Sequence, residues 1–456
     1  MPYGQTQAPD LMKWLQEQLS HHSDMVYREF AHQGIYVSFI YLSSVVDGIS
    51  VNNQLITPLF QMGEEHGYKE FISALPNSKP LTSKNESLLN SILFGGVVVS
   101  IGTDYYLYDG KRVNNNTIKE AQIETVIQGP QYAFSEDLAV NMNLIRHRYH
   151  QQSLRLEKQK VGNLSQTEVG IVYDANLVSP KVLKKVKDSI QRVDIPVLQA
   201  AGQLQNHINL QKRALFPTMM LTERPDRAVF NLSQGKIVVV IEGTPFALVV
   251  PAVFYDFISS MEDVYQSYWI SKFLITLRYL GLFFSITLPG AYVALTAFNP
   301  EVFRVQLALS IAGSRVGVPF PAFTEVTFML LMMELLTEAS VRLPKTVGQT
   351  AATVGGLILG QAATEAGLVS NIMIIVVSAV AVSNFVIPIT AMGFAMRFVK
   401  YVILAFATAY GLMGLVIGVL GLLIYLISLD SFGKPYFSLI SRSTIQEVET
   451  SGRGEA

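Results

Sequence analysis

The feature that most limits how this chain can fold is the spacing of its charges. Beyond Ile241 four runs carry none: Tyr279 to Pro300, Thr346 to Thr364, Ala366 to Met396 and Tyr401 to Leu429. An α-helix rises about 1.5 Å per residue, so roughly 20 apolar residues cross a hydrocarbon layer about 30 Å thick. Four such runs exceed what the core of a soluble protein of this size requires. The C-terminal half therefore reads as an all-α polytopic membrane domain, with about four to five transmembrane helices plus interfacial helices.

Only 24 of the 69 charged residues lie from Ile241 onward, and all seven His precede it. The first part is thus suited to water, and its apolar runs alternate between strand-like and helix-like periods. "IYVSFIYLSSVVD" and "GGVVVSIGTDYYLYDG" read as strands, with turns at Asp47-Gly48 and Asp109-Gly110. "SEDLAVNMNLIRHRYHQQSLRL" reads as a helix from Ser135 to Leu156 that joins two lobes, and strand-helix units follow up to a last strand at Lys236 to Glu242. The expectation is a two-lobed α/β soluble domain without internal repeats. Its boundaries are a tail or helix at 1–24, lobes at 25–150 and 151–245, the transmembrane domain at 246–430 and a polar tail at 431–456.

Composition narrows function. A net charge of −1 gives no case for nucleic acid, and the absence of Cys excludes disulfides, thiolate zinc sites and cysteine nucleophiles. His21-His22 and His147-x-x-His150 are isolated pairs, and the chain has no phosphate loop, dinucleotide fingerprint, His-Glu-x-x-His or nucleophile elbow. Neither a metal nor a cofactor is called for, and an enzyme is the weak hypothesis. The N-terminus has no apolar export segment, which places the soluble domain in the cytoplasm.

The membrane half carries its own puzzle in "PFPAFTEVTFMLLMMELLTEASVRLPK". At about 100° per residue Glu334 and Glu338 share one helix face with Arg342 a turn later, and Glu325 lies nearly opposite. Three carboxylates facing lipid would each cost about 3 kcal/mol or more. They are expected to be wet, on an interfacial helix or around an aqueous vestibule, with a buried ion pair as the remaining alternative. In the next helix Gly348, Ala352, Gly356, Gly360 and Thr364 recur every fourth residue as a small-residue packing ladder. Val354, Ile358, Gln361 and Glu365 form a second stripe that grades from apolar to charged. That gradient suits a pore wall with an apolar constriction and an acidic mouth, and an ordinary Gly-rich packing helix suits it as well. Asn371 and Asn384, in a span broken at "NFVIP", suit interhelical hydrogen bonds or, in a transporter, substrate contacts.

Eight blocks then resemble one family: "SDMVYREF", "VIQGPQYAFSEDL", "TERPDRA", "EGTPFALVVPAVFYDF", "SRVGVPFPAFTE", "ELLTEASVRLPKTVGQT", "GQAATEAGLVS" and "SFGKPY". They are similar to the A subunit of GerA-type spore germinant receptors over nearly the whole chain. The resemblance implies a multi-pass protein of the spore inner membrane with its N-terminal domain in the cytoplasm. It also implies a permease-like B subunit that binds nutrient, a lipoprotein C subunit, and a homo-oligomeric ring, expected to be a pentamer, forming a nutrient-gated ion channel. A nutrient transporter and a membrane-anchored signalling scaffold or amplifier remain alternatives. Val316 stands where the family usually has Glu, which puts in doubt the ion pair expected of Arg315, and the tail "SRSTIQEVETSGRGEA" departs from the family's Pro-rich end.

Overall fold

The computed structural model describes residues 11–62, 64–81, 86–111 and 119–438. The polar tail thus lies largely outside the described residues. The chain forms two compact units, one of Met1–Lys212, Met219–Pro251 and Ser431–Gly433, the other of Arg213–Thr218, Ala252–Asp430 and Lys434–Ala456.

The first unit holds two five-stranded sheets. In lobe one, β1 (Met25–His32), β2 (Ile35–Leu42), β3 (Ser78–Pro80), β4 (Gly96–Ile101) and β5 (Asp104–Asp109) pair in the order β1-β2-β4-β5-β3. The β1–β2 hairpin closes on Gln33 and Gly34 at φ 47° and 85°. Two successive positive φ values match the twist of the strands they join. In lobe two, β6 (Leu154–Val161), β7 (Thr167–Asp174), β8 (Met220–Thr222), β9 (Ile237–Ile241) and β10 (Ala247–Val250) pair as β6-β7-β9-β10-β8. Counted from its own first strand, that is the same order.

The helices repeat too. One precedes each lobe's first strand, at Leu11–Leu19 and Leu138–Arg146, and one joins each third strand to the fourth, at Glu86–Leu93 and Pro225–Ser233. The fold is therefore duplicated where the sequence shows no repeat. Every ladder is antiparallel, so the alternation of strands and helices gives α/β content without parallel crossovers. β4 and β9 are buried along their whole lengths, as near-continuous Val/Ile runs covered on both faces must be.

Two sequence expectations are corrected here. The helix expected over Ser135 to Leu156 spans only Leu138–Arg146 and is capped by Asp137, whose carboxylate accepts from the Ala139 and Val140 N–H groups. "LRLEKQKV" becomes β6 because eight residues pair with β7, a long-range gain that overrides local helix preference. The strand expected to be last, at Lys236 to Glu242, is followed by β10 after a turn at Gly243, φ 82°.

A charged cluster joins the lobes. Arg146, at the end of lobe two's first helix, donates from Nη2 to Asp24 Oδ1 at 2.8 Å and to His22 Nδ1 at 3.2 Å, and all three side chains are buried. An arginine only donates, so the His22 Nδ1 must carry a lone pair and the ring is neutral. Burial first, and the Arg146 cation second, lower the His22 pKa to about 4. In the unfolded chain it titrates near 6.5. Between those values the unfolded state binds more protons, so stability is full above about pH 6.5 and is lost as pH falls towards 4. We expect up to about 3 kcal/mol of acid-dependent loss from this ring. Urea midpoints measured from pH 7 to pH 4 check it: His22→Asn should flatten the profile, and an unchanged slope would contradict the assignment.

The second unit is helical, and by length and composition Tyr268–Phe298 and Thr390–Ser428 can cross a membrane, with Asn371–Phe385 a shorter apolar helix. Among the described residues, two of the four to five expected spans are thus long and apolar enough; the Ala322–Val341 and Lys345–Glu365 helices, of 20 and 21 residues, have the length but are not among them. The stretch "EDVYQSYWISKFLITLRYLGLFFSI" reads as continuously helix-compatible from near Asp263, but the first span begins at Tyr268. Gln266 and Ser267 are extended, at ψ 160° and 151°, and Asp263, in a separate turn, pairs with Arg278 of the long helix.

The Thr390–Ser428 segment is not one 39-residue rod. Gly411 sits at φ 60°, ψ −138°, a conformation glycine adopts and other residues avoid. A Cβ on Gly418 would lie 3.5 Å from the Cα of Ile403. Along a straight helix those two positions are about 22 Å apart. The segment therefore folds back into arms 390–410 and 412–428, and the uncharged run read as a single ample span contains the end of one arm and all of the next.

Candidate functional site: charges and glycines inside the helical unit

The three glutamates have three different environments. Glu325, in the first turn of the Ala322–Val341 helix, is 1% exposed. Its Oε1 accepts from the Ser370 N–H and hydroxyl, both at 2.6 Å, and the Ser370 Oγ accepts from Met373 N at 3.3 Å, capping the next helix. Arg315 Nε approaches Oε2 at 3.4 Å, an ion contact longer than a good hydrogen bond. Arg315 thus finds an acid, the ion pair that the sequence put in doubt. Glu325 was expected to be wet, and it is instead an internal fastener between helix ends, because two donors and a cation offset the cost of burying its charge.

Glu334 is half-buried, and it accepts from Lys400 Nζ at 3.0 Å and Arg397 Nη1 at 3.4 Å. Lys400 is only 1% exposed. These groups border a small, partly open cavity of about 30 Å³ that Thr337 and Asn384 also line, enough for one or two waters. Asn384 in turn accepts from the Ser285 hydroxyl, the interhelical hydrogen bond the sequence suggested. Glu338 is exposed and pairs with Arg342 one turn on at 2.8 Å. Lys400 and Arg397 were not singled out from sequence. The available signal was the pair of cations in an otherwise uncharged stretch, which have to face an acid if they are to be buried.

On the Lys345–Glu365 helix the two stripes fall on different sides. Val354, Ile358, Gln361 and Glu365 are all exposed on the single chain, and Gln361 donates to Glu365 at 3.0 Å. The ladder faces inward: a Cβ on Gly348 would meet the Ser340 carbonyl oxygen at 2.4 Å, on Gly356 the Leu336 side chain at 3.5 Å, and on Gly360 Ile374 at 3.8 Å. Gly348, Gly356 and Gly360 thus pack this helix against its own chain; the side chain of Ala352 lies outside the described residues.

An α/β unit together with a helical unit with two candidate spans, whose carboxylates Glu325 and Glu334 are neutralised by cations and hydroxyls, defines a membrane protein that keeps charge within its helices. A family model described as Bacillus/Clostridium GerA spore germination protein matches residues 13–451. Spore germination protein KA of Bacillus subtilis (strain 168) is 33% identical over 455 residues, covering 97% of this chain and 84% of that one. Spore germination protein GerLA of Bacillus cereus is 32% identical over 444 residues, covering 95% and 90%. An uncharacterized membrane protein of Bacillus subtilis, YfkQ, is 32% identical over 438 residues, covering 94% and 85%. Among solved structures, the N-terminal domain of the A subunit of the Bacillus megaterium spore germinant receptor GerK3 has a TM-score of 0.41 and 22% identity, covering 53% of this chain and 94% of that one. The chain belongs to the GerA family of spore germination proteins, the non-enzymatic A subunits of germinant receptors.

Proposed function

We propose that copies of this chain form a homo-oligomeric ring, a pentamer, around an aqueous path in the spore inner membrane, and that nutrient opens the path to cations. The observation that carries the reading is the exposed stripe Val354, Ile358, Gln361 and Glu365, set on a helix whose opposite, glycine-bearing side is used up within the chain. A lone stripe of apolar, amide and acid groups fits neither lipid nor a dry core along its whole length, and it suits an apolar constriction below a cation-gathering mouth. Glu334 and Glu338 then border the approach to the path. Lobes 25–150 and 151–245 lie in the cytoplasm, segment 246–430 in the membrane, with 1–24 and 431–456 flanking. A permease-like B subunit supplies nutrient recognition, and a lipoprotein C subunit and membrane lipid complete the assembly.

Val354→Ala tests this reading. Narrowing the apolar side chain should ease wetting of the constriction and raise basal cation leak several-fold in vesicles carrying the assembled receptor. Ion flux that stays at the unsubstituted level, with normal assembly, would leave the stripe without a role in conduction.

A further inference from the structure

A second cavity lies in lobe one, far in sequence from the helical unit. It is an open hollow of about 470 Å³ between the β3–β5 edge of the first sheet and the end of the Glu86–Leu93 helix. Strand register explains its lining. Lys79 of β3 is paired with Leu107 of β5, and Asp109 of β5 with Gly96 of β4, so these positions share one sheet face. Gly96 has no side chain to hold the helix away: a Cβ there would strike the Ser91 carbonyl oxygen at 2.8 Å. Ser91 and Phe94 are thereby brought over the sheet to close one side.

The floor is rigid where it matters. Lys111 bridges to Val46, and its Cα lies only 2.8 Å from where a Gly95 Cβ would stand, at a glycine with φ 105°. The base of that lysine is therefore fixed by backbone, and Lys111 and Lys79 both line the hollow. The one carboxylate in the lining, Asp109, already accepts the Lys111 N–H at 3.2 Å. Asn77 adds an amide. Phe94 is 45% exposed, and one of its faces is occupied by the His150 ring, stacked at 4.2 Å between centroids and 19° between planes. Burial, followed by the neighbouring His147 and Lys111, lowers the His150 pKa, so this stack is a neutral platform beside two cations.

We propose that this hollow binds a small flat organic anion, an aromatic carboxylate, with its ring against the Phe94–His150 platform and its carboxylate between Lys79 and Lys111. The volume falls within the range of ordinary small-molecule sites. Two point cations with one engaged acid favour an anion, and an aromatic platform with one face open favours a planar one. The inference does not depend on ion conduction by the helical unit.

The test uses the full chain extracted in detergent, with benzoate and phthalate as probes in isothermal titration, and cyclohexanecarboxylate and inorganic phosphate as comparators. Saturable binding of both aromatic acids at millimolar concentration is expected. Phe94→Ala should weaken it about tenfold, a change of about 1.4 kcal/mol, and cyclohexanecarboxylate should bind as weakly as benzoate does to that variant. Lys79→Met with Lys111→Met should abolish binding. Both lysines are exposed, and an unchanged melting temperature of the double variant establishes that it is folded. Absence of saturable binding, binding untouched by the lysine substitutions, or equal binding of inorganic phosphate with no effect of Phe94→Ala would each overturn the proposal.

Discussion

Glu334→Gln is expected to destabilise the helical unit by about 3–5 kcal/mol, because it leaves the Lys400 ammonium, 1% exposed, inside an apolar bundle without its 3.0 Å carboxylate partner. Removing one member of a buried ion pair costs more than the pair contributes, since the survivor keeps its desolvation penalty and loses its attraction. Lys400→Met should therefore be milder: Glu334 is 25% exposed on its side chain and retains Arg397 at 3.4 Å. The double variant should recover most of the loss seen with Glu334→Gln alone, because Met supplies packing volume where a charge stood. Thermal unfolding of detergent-extracted protein reads all three. Strictly additive single and double effects would mean that the pair is not coupled, and the small cavity beside it would then be a consequence of loose packing rather than of paired charge.

The second large effect lies in the α/β unit. Arg224 is 1% exposed and ties its own segment to two points of the connection between the lobes: Nε and Nη2 donate to Asp226 at 3.0 and 2.6 Å, Nη1 to the Glu124 carbonyl at 2.9 Å, and Nη2 also to the Pro130 carbonyl at 2.8 Å. Its neighbour Glu223 accepts the Ile123 and Glu124 N–H groups, so the "TERPD" segment grips the connection between the lobes from both charge senses. Arg224→Met strips two part-buried carbonyls of their donor and leaves the buried Asp226 carboxylate without this guanidinium, and should cost about 3–5 kcal/mol. Protease cleavage between 119 and 134 should appear well below the global unfolding temperature. Arg224→Lys should not rescue it, because one ammonium cannot span a carboxylate and two carbonyls in the fork a guanidinium provides. A lysine variant with wild-type protease resistance would show that the charge alone suffices.

How far the candidate site was legible follows from the range of each interaction. The two stripes of the Lys345–Glu365 helix could be read directly, since residues four apart share a face whatever the rest of the chain does. The exposed Glu338–Arg342 pair is likewise local. Glu325 and Glu334 look equivalent to Glu338 in sequence. Their partners are Ser370, 45 positions away, and Lys400, 66 positions away, so no periodicity could separate these two acids from the wet one.

The sequence by itself determined what depends on composition and short spacing. It determined that one half suits water and the other suits a bilayer, that helices stop near Pro344 and Pro388, and that glycines let helices approach. Tertiary structure alone decided what depends on pairing across long separations. It made both sheets antiparallel and alike, turned Leu154–Val161 from a helix pattern into a strand by pairing it with β7, and reversed an uncharged run at Gly411 against Phe298. It also buried one of the three carboxylates and half-buried a second. The physical reason is common to these cases: burial and hydrogen bonding between distant residues outweigh local preferences of well under 1 kcal/mol per residue.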